Sequence, residues 1–268
     1  MDVVYRVVTI IIAFMIFSMV LIVWLWYRNP YYLVTWWNRR IKNECDSQDA
    51  FPLNGIPSYH DAWTCSNRTA VELHRLINVN HNDILAEVSE TMKHYDGVPM
   101  NEIDWVQRKW LKNENRWRPI WVRFMNEWAG SADRLPTLKR IVSLFPDVST
   151  LHVSIFYPGT TLIEHRGPSR AVQRYHYGLK IPEGDVGLKI AGYDVKWKEH
   201  EGFVWDDTIP HSAWNHTDQP RIVIFADIFR ELSPINSVGS RVIHSLLQRT
   251  KHVTQIKARL QHEGVVID

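Results

Sequence analysis

The longest apolar run of the chain extends from Val7 to Tyr27 and contains no charged residue. A helix of about 20 apolar residues is long enough to cross the hydrocarbon core of a bilayer. Trp24, Trp26 and Tyr27 stand at the end of this run, where the aromatic residues of a membrane interface are expected. The pattern predicts a transmembrane helix over residues 7–27 and therefore a single-pass membrane protein.

The charges around this run bear on which side of the membrane the rest of the chain faces. A single basic residue, Arg6, precedes the run, and several follow it: Arg28, Arg39, Arg40 and Lys42. The positive-inside rule therefore favours a cytosolic C-terminal part. Two glycosylation sequons, which begin at Asn67 and Asn215, favour the opposite orientation. We expect the cytosolic orientation.

The hydrophobic positions that follow change to helical spacing. Residues 28–68 combine aromatic residues with short polar breaks, which indicates either a juxtamembrane connector, the interpretation we prefer, or the first packed segment of the next domain. Apolar residues at helical spacing predict one or two helices within residues 69–95. A shorter helix is predicted over residues 135–145, where Pro136 stands near the first turn.

From residue 151 onwards the period of the pattern becomes two. Short segments such as VQRYHYGLKI and RIVIFADIF alternate or run apolar, and Gly, Pro and Asp separate them. Closely spaced short strands of this kind predict a mainly β fold, either a sandwich, a barrel or a jelly roll. We assign residues 69–235 to one domain, with its β core at residues 150–230.

The tail, residues 236–268, is predicted to form a basic amphipathic helix. From Val238 to His262 there are basic residues but no acidic one, and apolar residues recur at helical spacing. Such a helix either lies on an anionic membrane surface or packs on the β core with its basic face in water. The sequence supports the two arrangements about equally.

The net charge bears on a nucleic-acid partner, and the cysteine content bears on disulfides and on zinc binding. The chain has 31 basic and 29 acidic residues and a net charge of +2, so we predict no nucleic-acid partner. Its two cysteines, Cys45 and Cys65, can form one disulfide or none. The sequence contains no zinc-binding spacing of Cys and His.

Several polar side chains are predicted to share one face of the strands. Successive side chains in VQRYHYGLK alternate between faces, so Arg174 and His176 lie on the same side. Burying Arg and His without a partner is costly, and a bound carboxylate would satisfy both. Taken singly, each residue has an ordinary structural explanation, and a lone histidine in a strand is more often a core or surface residue than a metal ligand. Further candidates of this kind are Ser154 and Arg221 for a carboxylate, and His165 and His211 for a metal ion.

Four motifs occur in order within residues 105–232, namely HRGP, RYHYGL, DDTIPHSAW and the arginine that begins RIVIFADIF. In these motifs the chain resembles the aspartyl/asparaginyl β-hydroxylase family, which consists of dioxygenases dependent on Fe(II) and 2-oxoglutarate. The resemblance covers about half of the chain. It implies a double-stranded β-helix, a cupin-like jelly roll, with flanking helices, and it implies Fe(II), 2-oxoglutarate and O2 as cofactor and co-substrates.

The resemblance also implies roles for the candidate residues. His165 and His211 would be the iron ligands. Gly167 stands where other oxygenases of this fold carry a carboxylate ligand, and the missing side chain would leave room for water on the metal. Asp207 would be the catalytic residue that holds this water without binding the iron. The residues implied to hold 2-oxoglutarate are Ser154, Arg174, His176, Arg221 and Trp117, with Trp121 as a near alternative to Trp117.

The expected function is hydroxylation of an unactivated carbon, first of all the β-carbon of Asp or Asn residues in a peptide or protein. Some family members carry helical repeats before the catalytic part, and none are found in this sequence. An alternative substrate is therefore the acyl chain of a lipid at the membrane. A third interpretation is a catalytically inactive binding module anchored in a membrane. In all three cases we expect membrane contact through the N-terminal helix.

Overall fold

A computed structural model describes residues 2–28, 30–113 and 115–262. The side chains of residues 2–4, 22–28, 30 and 105 lie outside this description, and with them the predicted interfacial side chains of Trp24, Trp26 and Tyr27. Two short 3-10 turns accompany the helices, at Leu53–Gly55 and Gly130–Arg134. The helices are α1 (Asp2–Arg28), α2 (Pro30–Arg40), α3 (Lys42–Gln48), α4 (Arg68–Val79), α5 (His81–His94), α6 (Met100–Ile103), α7 (Trp105–Arg108), α8 (Pro136–Ser143), α9 (Pro234–Gln248) and α10 (Lys251–His262).

The strands fall mainly in the second half of the chain, as the change of period predicts. The predicted helices within residues 69–95 and 135–145 are confirmed as α4, α5 and α8. The strands are β1 (His60–Asp61), β2 (Trp117–Phe124), β3 (Glu127–Trp128), β4 (Val148–Phe156), β5 (Thr160–His165), β6 (Val172–Lys180), β7 (Val186–Ile190), β8 (Tyr193–Val195), β9 (Gly202–Trp205), β10 (His211–Asn215) and β11 (Arg221–Phe229).

The strands form two antiparallel sheets. The larger sheet has the order β1-β9-β6-β11-β4-β2-β3, and the smaller has the order β5-β10-β7-β8. From β4 to β11 the chain passes back and forth between the sheets, so that each sheet receives four strands of this series. This winding is that of a jelly roll, so the predicted mainly β fold with flanking helices is confirmed.

The two faces of the larger sheet have different surroundings. Tyr175 and Tyr177 of β6 face outwards into an apolar cluster that includes residues of α4, α5 and α8. The hydroxyl of Tyr175 lies 3.0 Å from Nδ1 of His74 in α4. The inner face opposes the smaller sheet across a second apolar cluster. The alternation along β6 therefore places Arg174 and His176 between the two sheets.

Helices α2 and α3 pack against the domain on its C-terminal side. Trp37, Ile41 and Cys45 are buried together in a small apolar cluster. The indole N–H of Trp37 donates to Oγ of Ser240 in α9, at 2.8 Å. The burial of these side chains anchors residues 30–48 beside α9 and close to the loop that follows β5.

The predicted transmembrane helix is wrong. Helix α1 (Asp2–Arg28) does form over the apolar run. Within the part of the chain that the structure describes, no helix is both long and apolar enough to cross a membrane. The prediction of a single-pass membrane protein is therefore wrong as well. The sequon residues Asn67 and Asn215 are buried and hydrogen-bonded, so neither indicates a glycosylated face.

The C-terminal segment forms two helices instead of the single one predicted over residues 236–268. The first, α9, ends before Arg249, and the hydroxyl of Thr250 then accepts the backbone N–H of Val253 at the start of α10. A threonine in this capping position favours a new helix start. Ile256 and Leu260 of α10 are buried in the cluster between the sheets, so the tail packs on the β core. Residues 263–268 lie outside the described residues.

The two cysteines do not form a disulfide. Both thiols are free, and Cys45 is a buried residue of α3. Burial raises the pKa of the Cys45 thiol to about 11. A thiol that stays protonated at neutral pH is a poor nucleophile and a poor metal ligand, so Cys45 has a packing role.

Candidate active site

Two histidines face each other across neighbouring strands of the smaller sheet. His165 ends β5, His211 begins β10, and the two residues are direct partners in the antiparallel register. Their ring centroids lie 4.2 Å apart. Each ring donates its Nδ1–H to the carbonyl two residues earlier, Ile163 at 2.9 Å and Ile209 at 2.8 Å. The same local bond therefore fixes both tautomers and leaves Nε2 as the nitrogen with a lone pair.

This pair fits the ligand set of a metal ion. Burial lowers the pKa of His165 to about 4 and that of His211 to about 3. Both imidazoles are therefore neutral at physiological pH, which is the form that binds metals. The described residues contain no cluster of three or more His, Cys, Asp or Glu side chains that could hold a metal ion. Any metal here would thus be held by two histidines and by groups that the protein does not supply.

The space beside Gly167 is filled by the carboxyl group of Asp207, whereas the sequence suggested open room for water. A Cβ atom built on Gly167 would lie 1.8 Å from Oδ2 of Asp207. The backbone N–H of Gly167 donates to the carbonyl of Asp207 at 2.7 Å, which holds the two segments together. A carboxyl group is thus present beside the histidine pair, but it comes from the turn before β10.

Asp207 is paired with Arg174 in a buried setting. Their closest charged atoms, Oδ2 and Nη2, lie 2.8 Å apart. Burial raises the pKa of the Asp207 carboxyl to about 7, and the positive charge of Arg174 opposes this shift. Burial therefore favours the protonated form of this carboxyl group, and a buried carboxyl with a perturbed pKa beside a specific charge partner is a candidate functional residue.

Arg174 is shared between two carboxylates. Besides Asp207, its Nε atom donates to Asp227 of β11 at 3.1 Å, and its guanidinium carbon lies 4.3 Å from the ring centroid of Phe225. Both carboxylates raise the pKa of Arg174 against the effect of burial. The pairing with Asp227 was not foreseen from the sequence. It means that Arg174 carries less uncompensated charge towards a co-substrate than Arg221 does.

Arg221 is a buried cation with no carboxylate partner in the described part of the chain. Its side chain is 1% exposed, and its guanidinium stacks between the rings of Phe156 and Trp197, at 3.8 and 4.6 Å from their centroids. Among the described residues, its Nε and Nη1 atoms have no hydrogen-bond partner. Burial lowers its pKa to about 9. Two such donors on a buried cation form a strong site for an anion.

His176, Ser154 and Trp117 surround the same space. The indole N–H of Trp197 donates to Nδ1 of His176 at 3.0 Å, so the neutral ring carries its proton on Nε2. Within the described structure this buried Nε2 has no partner, which leaves it free to donate. The indole N–H of Trp117 donates to Oγ of Ser154 at 3.1 Å, so the serine O–H is also available.

These residues line one cavity between the sheets, with a volume of ≈ 130 Å³. Both histidines and all five residues implied to hold 2-oxoglutarate line this inner cavity, as does Trp121. His152 also lines it, and sequence reasoning missed this residue. Its ring is buried, and neither nitrogen has a partner among the described residues. Strand alternation could have predicted this position, because His152 stands two positions before Ser154 and strand residues at that spacing share a face.

A second, outer cavity of ≈ 320 Å³ shares His165 with the first. His165 and Arg174 line both cavities, whereas Asp207 lines only the outer one. Trp110 stacks on His165 with ring centroids 4.7 Å apart, and it too faces the outer cavity. Other lining residues come from elements outside the jelly roll, such as Tyr31 of α2 and His252 of α10. His165 and Arg174 thus lie between an inner cavity, which contains the unpartnered donors of Arg221, and a second, outer cavity.

The fold and the site together define a jelly-roll protein with a candidate two-histidine metal centre. The model of the aspartyl/asparaginyl β-hydroxylase family matches residues 78–231, more than half of the chain, and the chain belongs to this family.

Among curated proteins, the chain is 29% identical over 167 residues to an ornithine lipid ester-linked acyl 2-hydroxylase of Rhizobium tropici, covering 61% of this chain and 59% of that protein. It is 28% identical over 105 residues to the human aspartyl/asparaginyl β-hydroxylase, covering 37% of this chain and 14% of that protein. The chain thus spans less than two thirds of either relative. Among solved structures, a prolyl-4-hydroxylase of Pseudomonas putida aligns with a TM-score of 0.34 and 13% identity, covering 60% of this chain and 100% of that one.

Proposed function

We propose that the chain is a hydroxylase that depends on Fe(II) and 2-oxoglutarate. A single observation carries the proposal: two neutral, register-paired histidines line a cavity that also contains Arg221, a buried cation whose Nε and Nη1 lack partners among the described residues. His165 and His211 would hold the iron. Once bound, the iron would use O2 to oxidise an unactivated C–H bond while 2-oxoglutarate is converted to succinate and CO2. The matched family and its hydroxylase relatives support the same reaction.

The residues around the inner cavity would bind the dicarboxylate and exclude water. Arg221 offers its Nε–H and Nη1–H, and the O–H of Ser154 and the Nε2–H of His176 add neutral donors. Trp117 orients Ser154, and Trp197 sets the tautomer of His176. Because aromatic rings surround these donors and lower the local dielectric, each hydrogen bond to a bound carboxylate would be stronger than in water.

Asp207 would hold a water molecule or a proton at the iron side of the outer cavity. Its carboxyl group lies where a metal ligand on residue 167 would otherwise project, and Arg174 fixes its orientation. Because burial raises its pKa, the group would more readily accept a proton from a water molecule and return it. Residues that orient water and ligands in this way strongly affect metal affinity and activity.

The first candidate substrate is the β-carbon of an Asp or Asn residue in a peptide, as the family description suggests. The second candidate is the acyl chain of a lipid, which two observations favour. The R. tropici acyl 2-hydroxylase aligns over a larger share of this chain than the human β-hydroxylase does. One wall of the inner cavity is also apolar, formed by Met100, Ile103, Phe124 and Ile256.

The test is a titration of the purified full chain under anaerobic conditions with Fe(II) and then 2-oxoglutarate. We expect the visible charge-transfer band of an iron-chelated keto acid, followed by succinate when O2 is admitted. Addition of Asp/Asn-containing peptides or of ester-linked lipids should then stimulate succinate formation, and the product should gain one oxygen atom. A folded protein that shows no band would contradict the proposal and favour the catalytically inactive binding module.

Arg221→Leu is expected to stabilise the ligand-free protein and to weaken its binding of 2-oxoglutarate. The substitution should raise the free energy of unfolding of the ligand-free protein by about 1–4 kcal/mol, because it removes an uncompensated buried charge. It should weaken 2-oxoglutarate binding by about 100-fold or more, because a charge-assisted pair is lost. Chemical denaturation and titration of the charge-transfer band measure the two effects.

Arg221→Lys is the matched control, since it keeps the charge but not the planar fork. It should bind 2-oxoglutarate with intermediate affinity and gain no stability. If Arg221→Leu binds 2-oxoglutarate as tightly as the wild type, the assignment of this residue as the anion site is wrong.

A further inference from the structure

The loop between β5 and β6 connects the two halves of the candidate metal site. It follows His165 directly and contains Gly167, whose backbone N–H donates to the carbonyl of Asp207 at 2.7 Å. In the same loop, Nη1 of Arg166 donates to the carbonyl of Thr208 at 2.9 Å. The path of this loop therefore sets where the Asp207 carboxyl group stands relative to the His165 ring.

One side chain of helix α2 forms hydrogen bonds to this loop. Nδ2 of Asn38 donates to the carbonyl of Pro168 at 2.8 Å, and Oδ1 of Asn38 accepts the backbone N–H of Arg170 at 2.9 Å. The amide thus bonds both ends of a three-residue segment of the loop. An amide group is well suited to this bridge, because it carries a donor and an acceptor side by side.

Helix α2 is itself held firmly in place. Trp37, the neighbour of Asn38, is buried and bonded to Ser240 of α9. It lies so close to Gly239 that a Cβ atom there would come within 2.0 Å of the Trp37 ring. Glu44 of α3 bonds Asn236 near the start of α9, with Nδ2 and Oε2 2.6 Å apart. Asn38 therefore projects from an anchored helix and can act as a fixed reference for the loop.

Ion pairs also connect the N-terminal segment to the turn that contains Asp207. The guanidinium of Arg170 bridges Asp46 of α3 and Asp206, each at 2.9 Å. Arg230, which is fully buried, joins Asp206 to Asp49 beyond the end of α3. Both the loop after His165 and the turn before His211 are thus tied to the same N-terminal segment, residues 38–49.

We propose that Asn38 is a positioning residue of the metal site, acting through the loop that follows His165 and contains Gly167. This inference rests on the proposed function. Asn38 lies outside residues 78–231, which match the family model, so the inference concerns a feature of this chain that the family match does not include. The N-terminal segment then belongs to the working enzyme, and Tyr31 of the same helix lines the outer cavity.

The physical basis is the precision that a two-histidine site demands. With only two protein ligands, small displacements of the His165 ring change metal affinity directly, and partners outside the ligand shell typically contribute about 10–100-fold to affinity or activity. Loss of both Asn38 hydrogen bonds frees the loop while the buried face of α2 remains packed. We therefore expect Asn38→Ala to weaken Fe(II) binding about tenfold without unfolding the protein.

The experiment compares the full chain with Asn38→Ala, Asn38→Asp and Thr35→Ala. Fe(II) is titrated in the presence of 2-oxoglutarate, and hydrogen exchange is measured in the loop, residues 166–171. Asn38→Asp keeps the acceptor for Arg170 but loses the donor to Pro168, so it should show a smaller loss of affinity. Thr35→Ala is the matched control, because Thr35 is exposed on the same helix and its hydroxyl bonds within that helix, to the carbonyl of Tyr31 at 3.0 Å.

The inference is supported if Asn38→Ala lowers Fe(II) affinity and speeds exchange in the loop, while Thr35→Ala matches the wild type in both. An Asn38→Ala protein that stays folded and binds Fe(II) as tightly as the wild type overturns the inference and leaves the proposed function intact. A wild-type protein that binds no Fe(II) overturns the proposed function, and the inference with it.

Discussion

Replacing either His165 or His211 by alanine is expected to abolish hydroxylation, with a loss of roughly 10³-fold or more in kcat/KM. Each histidine would supply one of two protein ligands, and the described residues contain no third His, Cys, Asp or Glu grouped with them to compensate. Bound Fe(II) should fall below one equivalent, and the charge-transfer band with 2-oxoglutarate should disappear. Metal analysis and succinate formation measure the two losses.

The matched control is His216→Ala. His216 follows β10 closely, but it is half-exposed and pairs with Asp185 at the surface, at 2.9 Å. This variant should bind iron and turn over like the wild type. If His165→Ala or His211→Ala keeps both the band and the activity, the iron lies elsewhere and the two-histidine assignment fails.

The ligand-free protein is expected to lose stability steeply between pH 7 and pH 5. A set of histidines is held neutral by burial, with the pKa of each lowered: His74, His152, His165, His176, His211 and His244. As the pH falls below about 6.5, these histidines become protonated in the unfolded chain but stay neutral in the folded chain. Protonation therefore favours the unfolded state, and the free energy of unfolding falls. The raised pKa of Asp207 acts in the opposite direction, but it is a single group.

The expected size of this acid effect is on the order of 5–10 kcal/mol over these two pH units. That is comparable with the whole stability of a typical domain, so the ligand-free protein should unfold near pH 5. Guanidinium unfolding curves at pH 7, 6 and 5 measure the loss.

His244→Leu provides the control for the acid effect. Burial lowers the pKa of His244 to about 4. Without this histidine, unfolding at acid pH takes up one proton fewer. Between pH 7 and pH 5 the pH dependence of the variant should be shallower by about 1 kcal/mol per pH unit. A free energy of unfolding at pH 5 that stays within about 2 kcal/mol of the value at pH 7 would show that these histidines are solvated in solution and would contradict the prediction.

Local sequence patterns were enough to predict the β core and several of the polar side chains that line the inner cavity. The change of hydrophobic period predicted the strands, and the alternation in VQRYHYGLK placed Arg174 and His176 on one face. These two residues, with Ser154 and Arg221, do line one cavity. Strand alternation is a property of the extended backbone, so which side chains share a face can be predicted without knowledge of the strand order.

How these groups are paired, and what holds them, depends on the packing of distant segments. The carboxyl group of Asp207 fills the space beside Gly167. Trp197 sets the tautomer of His176, and Asn38 bonds a loop 132 positions away in sequence. The apolar run at the N-terminus predicted a membrane span that the structure does not bear out. A hydrogen bond between distant segments leaves no periodic signal in either segment, because it depends on how packed elements dock. The local patterns therefore predict the faces of the strands, and the docking of the elements decides which side chains meet.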